Sequence, residues 1–185
     1  MTTSLRWTIS DVEALPDNGS RYEIIDGELY VSKQPHWHHQ ATCANIITEL
    51  ATWSRSTGLG RTIQAPGILY ADDEAVAPDI VWVSRSRLAS VLAPDGKLYL
   101  SPDLVIEVLS SGTANEQRDR DAKRRLYSRR GVQEYWIADW RNGTVEVYRR
   151  QQAELRLVQT LLAGDELVSP LLPGFSCLIN RFFEI

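Results

Sequence analysis

The chain has 185 residues, 43% hydrophobic and 24% charged, a balance that suits a folded domain and excludes a disordered polymer. Its formal net charge is −4 and its pI about 5.4, which argues against a protein that coats nucleic acid through a global positive excess. A local basic patch stays open. Cys43 and Cys177 lie far apart and form no metal-type cluster or disulfide framework, so a reducing, cytoplasmic location is expected. Residues 1–7 show no apolar leader core, and no apolar run is long enough to span a membrane.

In chain order, Ser10 is placed to cap a short helix over Asp11 to Leu15, ended by Pro16. Asp26-Gly27, between the β-prone runs from Arg21 and to Ser32, predicts a hairpin. From about Trp37 to Thr57, the residues His39, Cys43, Ile46, Leu50 and Trp53 recur at helical spacing, and Gly58 and Gly60 close that helix. Arg61 to Ala71 reads as one strand bent at Pro66-Gly67. Ile80 to Val83 and Asp103 to Leu109 are apolar strands, the first entered through Pro78-Asp79. A highly charged helix is expected from about Asn115 to Arg130, with Gly131 after its end. Glu134 to Asp139 is a strand, and Asn142-Gly143 turns the chain into another from Thr144. Leu155 to Leu162 and Leu167 to Ile185 look like added strands and a short terminal element. With no repeat or linker, a single domain over 1–185 of the α/β (α+β) type is the simplest organisation.

Glu107 is the most informative residue. Alternation puts Leu104, Ile106 and Val108 on one face of its strand and Val105, Glu107 and Leu109 on the other. Both faces are otherwise apolar, so the strand is central and covered on both sides. A carboxylate there needs a compensating partner: an Arg in the structural reading, a metal ion in the functional one. Asp79 is a second acid, either a turn residue or a ligand from a neighbouring strand. Its competitor Asp103 precedes Glu107 by four residues, about 13 Å along a strand, too far to share one ion. Asp119, Lys123 and Tyr127 are spaced i, i+4, i+8 on the charged helix. They are either a surface ion pair beside a ring or a lysine directed into a site and oriented by Asp119.

Two acids and a lysine make a chemically sensible set. The acids can hold Mg²⁺ or Mn²⁺, and the ammonium can stabilise negative charge on a phosphoryl transition state. Pro78-Asp79, Pro102 to Ser110 around Glu107, Asp119-x-x-x-Lys123-x-x-x-Tyr127 and Gly131 to Asp139 together resemble the Uma-type family of restriction endonucleases, in the PD-(D/E)XK nuclease superfamily. The stretches from Tyr22 to Leu29 and Pro35 to His39 fit the same pattern, so the resemblance covers about residues 20–175.

The resemblance implies a restriction-endonuclease-like core, a mixed central sheet flanked by helices, with extra β-hairpins. It implies a metal held by Asp79, Glu107 and the backbone carbonyl of Val108, and nucleic acid, foremost DNA, as partner. The superfamily lysine usually stands two residues after the acid, where this chain has Leu109; the following helix then nominates Lys123. Ser111-Gly112 stands where the family more often has Ser-Pro. Related folds often add an acid from an N-terminal element, a role that Glu23 fits, although a hairpin glutamate is commonly just exposed.

His39 lies on an apolar helix stripe, which suits a hydrogen-bonded, semi-buried histidine better than a ligand, with a role near the scissile phosphate as the alternative. The basic run containing Arg118, Arg120 and Arg124 is either a solvated helix face or a set of phosphate contacts. Many nucleases of this fold act as dimers, and the aromatic C-terminal part would offer apolar surface for a homodimer. The rival to a nuclease is a catalytically inactive module of the same fold, used for binding or dimerisation.

Overall fold

The computed structural model describes residues 5–185; residues 1–4, the start of the stretch read for a leader, lie outside them. Helix α1 (Ile9–Glu13) is capped by Thr8, not Ser10. The Thr8 hydroxyl accepts the Asp11 N–H while the Asp11 carboxylate accepts the Thr8 N–H, and this reciprocal pair sets the start two residues earlier than expected. Strands β1 (Arg21–Ile25) and β2 (Glu28–Ser32) form the Asp26-Gly27 hairpin, both turn residues having positive φ. Helix α2 (Trp37–Thr57) starts and ends as expected, closed by Gly58 in the left-handed region.

The stretch from Arg61 to Ala71 is not one bent strand. It is β3 (Gly60–Gln64) and β4 (Ile68–Ala71), in different sheets. Ala65 takes φ +45° and Pro66 lacks an N–H, so the ladder stops there and the chain changes sheet. Next come β5 (Glu74–Val76), β6 (Ile80–Ser84), α3 (Leu88–Val91) and β7 (Leu104–Val108). The charged helix is three pieces: α4 (Thr113–Gln117), a π-helical stretch (Arg118–Lys123) and α5 (Arg124–Arg130). The chain ends with β8 (Glu134–Asp139), β9 (Thr144–Gln151), β10 (Glu154–Leu161), β11 (Glu166–Val168), β12 (Ser176–Leu178) and α6 (Asn180–Phe183).

The central sheet is six-stranded, ordered β10-β9-β8-β7-β6-β3. It is mixed: β7 and β8 run parallel and the other neighbours antiparallel. A four-stranded sheet, β2-β1-β5-β4, and the β11-β12 hairpin are added to it. Alternation along β7 divides the core. Leu104, Ile106 and Val108 join the cluster around α2 and the C-terminal segment, whereas Val105 and Leu109 join the one around α5 and the smaller sheet. Glu107 has the parity of the second set, which aims it at the π-helical stretch and α5.

Of the three C-terminal rings, from which apolar surface for a homodimer is expected, only Phe183 is half-exposed. Phe175 and Phe182 are buried against the α2 face, where ring area is best removed from water. The exposed large apolar side chains of the C-terminal part are aliphatic: Leu157, Val158, Leu162, Val168, Leu178 and Ile185.

Gly60 opens β3 beneath Trp82, whose indole N–H donates to Ser54 Oγ at 3.0 Å. A Cβ on Gly60 would drive into the Trp82 ring and the Val83 carbonyl. We expect Gly60→Ala to cost about 1–3 kcal/mol, read as a lower urea midpoint with unchanged slope.

Candidate active site

The antiparallel register pairs Ile80 with Ile106, which sets Asp79 across from Glu107 at the end of two adjacent strands. The Val108 N–H donates to Asp79 Oδ2 at 2.9 Å, tying the first acid to the strand that carries the second. From the other side, the π-helical stretch buries Arg118, Asp119 and Lys123 within the hexapeptide RDRDAK. The wider turn of a π-helix brings three charged residues of one short segment inward, and such turns recur at functional sites.

Lys123 Nζ lies 2.9 Å from Glu107 Oε1, 3.0 Å from Glu23 Oε1 and 3.7 Å from Asp119 Oδ1. Its side chain is 1% exposed. The Tyr127 hydroxyl donates to Glu107 Oε1 at 3.0 Å, so both bonds converge on one oxygen. Arg118 is held between Glu23 and Asp119, and its guanidinium also donates to Ser32. Glu23 Oε2 is buried without a hydrogen-bond partner among the described residues. Asp79 meets His39 Nε2 at 3.2 Å and Arg21 Nη1 at 3.3 Å. These groups surround a cavity of about 320 Å³ lined by Asp79, Glu107, Val108, Asp119, Lys123, Arg118, Arg21, His39 and Cys43.

The acids outnumber the permanent cations. Four buried carboxylates, Glu23, Asp79, Glu107 and Asp119, face three permanent cations, Arg21, Arg118 and Lys123. The other buried acids each have an arginine: Asp103 has Arg87, Glu74 has Arg129 and Arg130, Glu134 has Arg149, and Asp139 has Arg141. In the cluster the excess falls on Glu107. Burial, helped by Asp79, Asp119 and Glu23 and opposed by Lys123, pushes its pKa up to about 8. Burial also opposes ionisation of Asp79, but the His39 hydrogen bond and the His39, Lys123 and Arg21 charges hold it down at about 2. Burial disfavours the charge on Lys123 as well, yet its three carboxylate neighbours raise its pKa above that of an ordinary lysine.

The structure brings together Asp79, Glu107, Lys123, Asp119, Tyr127, Glu23, His39 and Arg118. Glu23 is buried rather than exposed as hairpin glutamates commonly are, because the β1 face carrying Ile25 packs inward. The structural reading of Glu107 anticipated an arginine; its partner is Lys123. Lys123 and Asp119 are not a surface pair. Arg120 and Arg124 stand apart from the cavity: Arg120 pairs with Glu146, and Arg124 packs over Tyr148 and donates to Leu155 O. The competitor Asp103 holds the Ser84 N–H and Arg87.

Sequence reasoning missed Arg21 and Cys43. Nothing in the hairpin sequence marks Arg21. The wide spacing of Cys43 and Cys177 predicts no metal-type cluster, yet in the fold Cys43 joins His39 and Asp79 in a buried group whose ligand atoms all lie within 4.8 Å of one another. The signal was present as the i, i+4 spacing of His39 and Cys43, hidden because both also fit the apolar stripe.

The six-stranded mixed sheet flanked by helices is a nuclease-like fold. A family model described as "Uma2: Putative restriction endonuclease" matches residues 9–180, and the chain belongs to that family. A crystal structure described as a "putative nuclease belonging to DUF820", from Anabaena variabilis, is similar in fold. The TM-score is 0.75 at 21% identity, covering 95% of this chain and 97% of that one. No curated protein matches the chain. No helix among the described residues is long and apolar enough to cross a membrane.

Glu107 yields a pH-dependent stability. Its folded pKa of about 8 lies above the ordinary 4.5, so its contribution is complete below the lower value and lost as pH rises through the upper one. Glutamine stays neutral throughout. Without added metal, Glu107→Gln is expected to melt near the wild-type temperature at about pH 5 and increasingly above it toward about pH 9. A constant difference across that range in thermal melts would contradict this.

Proposed function

We propose that the chain is a metal-dependent endonuclease that hydrolyses phosphodiester bonds of nucleic acid, with DNA as substrate. The observation that carries the reading is the buried, acid-rich cluster in which Asp79 and Glu107 face one another beside Lys123 at one end of the central sheet. The family membership supports the same chemistry.

The donor set fits a hard divalent cation. Asp79 and Glu107 bring carboxylate oxygens from facing positions, Val108 lines the same cavity, and the cluster has one acid more than its permanent cations. Asp79, Glu107 and the Val108 carbonyl would hold Mg²⁺ or Mn²⁺. When bound, the ion supplies Lewis-acid charge to a phosphodiester oxygen and acidifies an attacking water.

The protein groups supply positioning and electrostatics. Lys123 has two short carboxylate bonds and one long contact, which leaves an N–H for a phosphate oxygen as charge develops on it. Glu23 and Asp119 hold the ammonium, and Tyr127 fixes the Glu107 oxygen that the ammonium shares. His39 and the Val108 N–H fix Asp79. Arg21 and Arg118 bring positive charge to the cavity wall, suited to the flanking phosphates.

The test is cleavage of plasmid and single-stranded DNA with Mn²⁺. Wild type is expected to cut, whereas Asp79→Ala, Glu107→Ala and Lys123→Ala each lose activity by about 100-fold or more. Folded wild type that fails to cut any DNA, and whose melting temperature saturating Mn²⁺ leaves unchanged, would favour a nuclease fold kept for binding.

A further inference from the structure

Cys43 has no part in the proposed hydrolysis, yet its thiol stands in the wall of the same cavity. Its Sγ is 3.7 Å from His39 Nδ1, while the other nitrogen of that ring, Nε2, is 3.2 Å from Asp79 Oδ2, so one ion would take one of the two nitrogens and draw the remaining partner toward it. All three side chains are buried, and one ligand atom from each lies within 4.8 Å of the others. A tetrahedral zinc ion holds such atoms roughly 3.3–3.8 Å apart, so the three need close by at most about 1.5 Å. Two of them sit at i and i+4 on α2, a long, well-capped helix whose spacing presents paired ligands on one face.

The donor chemistry differs from that of the carboxylate pair. A thiolate and an imidazole select borderline-soft ions such as Zn²⁺ or Co²⁺ and contribute nothing to Mg²⁺. Burial holds the thiol protonated in the metal-free protein, so binding releases its proton as the sulfur–metal bond forms.

We propose that His39, Cys43 and Asp79 form a site for a thiophilic divalent ion of the Zn²⁺ class, which shuts off the hard-cation site by claiming Asp79. The ion-binding part stands without the nuclease reading; the shut-off rests on it. One cavity then has two mutually exclusive metal states. In one, Asp79 joins Glu107 around a hard cation. In the other, Asp79 turns to α2 with His39 and Cys43. A thiophilic ion therefore acts as an inhibitor that excess Mg²⁺ relieves only slowly or weakly.

The experiment uses Co²⁺ as a spectroscopic probe on the full-length, metal-free protein. Wild type and Glu107→Gln should both develop a thiolate-to-cobalt charge-transfer band that saturates at one ion per chain. Cys43→Ser and Cys43→Ala should lose the band and bind Co²⁺ about tenfold or more weakly, while Cys177→Ser keeps it. Preloading wild type with Zn²⁺ should block Mn²⁺ binding, read from the electron-spin resonance of free Mn²⁺, and Cys43→Ser should be released from the block. Absence of the band in wild type at saturating Co²⁺, or its persistence in folded Cys43→Ser and Cys43→Ala, would overturn the site. Mn²⁺ and Zn²⁺ binding together would overturn the exclusivity. A protein that shows the band but cuts no DNA would remove the nuclease reading and leave the ion site standing.

Discussion

Four buried carboxylates share three permanent cations, and the rest of the site follows from that shortage. A buried carboxylate without a full partner is costly, so the structure lowers the cost in several ways at once. Lys123 is spread across Glu107, Glu23 and Asp119, Tyr127 adds a neutral donor, and Asp79 draws on a backbone N–H and on His39. What is left over appears as the raised pKa of Glu107. A divalent cation would remove the shortage, which links the fold's least comfortable residue to its proposed cofactor.

Distant segments have to meet for this to occur. The β6–β7 register sets Asp79 across from Glu107, and the inward face of the β1–β2 hairpin delivers Glu23. The break at Ala65-Pro66 sends the chain from the central sheet to the smaller one, and Ala65 N–H bonds the Asp79 carbonyl at that corner. The π-helical stretch then turns Asp119 and Lys123 toward the strands. The alternation of β7 makes Glu107 the one charged residue in a strand buried on both faces.

That alternation is why Glu107 was legible in the sequence: an acid in LVIEVL has no solvated side to turn to. The Asp26-Gly27 hairpin and the full span of α2 were legible for equally local reasons, a turn with two positive φ angles and a helical stripe ending at glycine. The break between β3 and β4 was not, because proline and glycine mark an interruption without saying which sheet receives the next strand. The burial of Glu23 and the place of Arg21 depend on where the hairpin packs, which no local pattern records. The burial of three residues in RDRDAK runs against composition, since such a segment suits a solvated helix face. Cys43 was hidden by fitting the apolar stripe it also belongs to.

The central claim is that the acid-rich cluster binds a divalent cation. Equilibrium titration of Mn²⁺ into wild type and Glu107→Gln at one neutral pH tests it most directly. Saturable binding by wild type at one ion per chain, weakened about tenfold or more when glutamine removes the unmatched acid, is the predicted result. Equal affinity in the two proteins, or no saturable binding by folded wild type, would contradict the account.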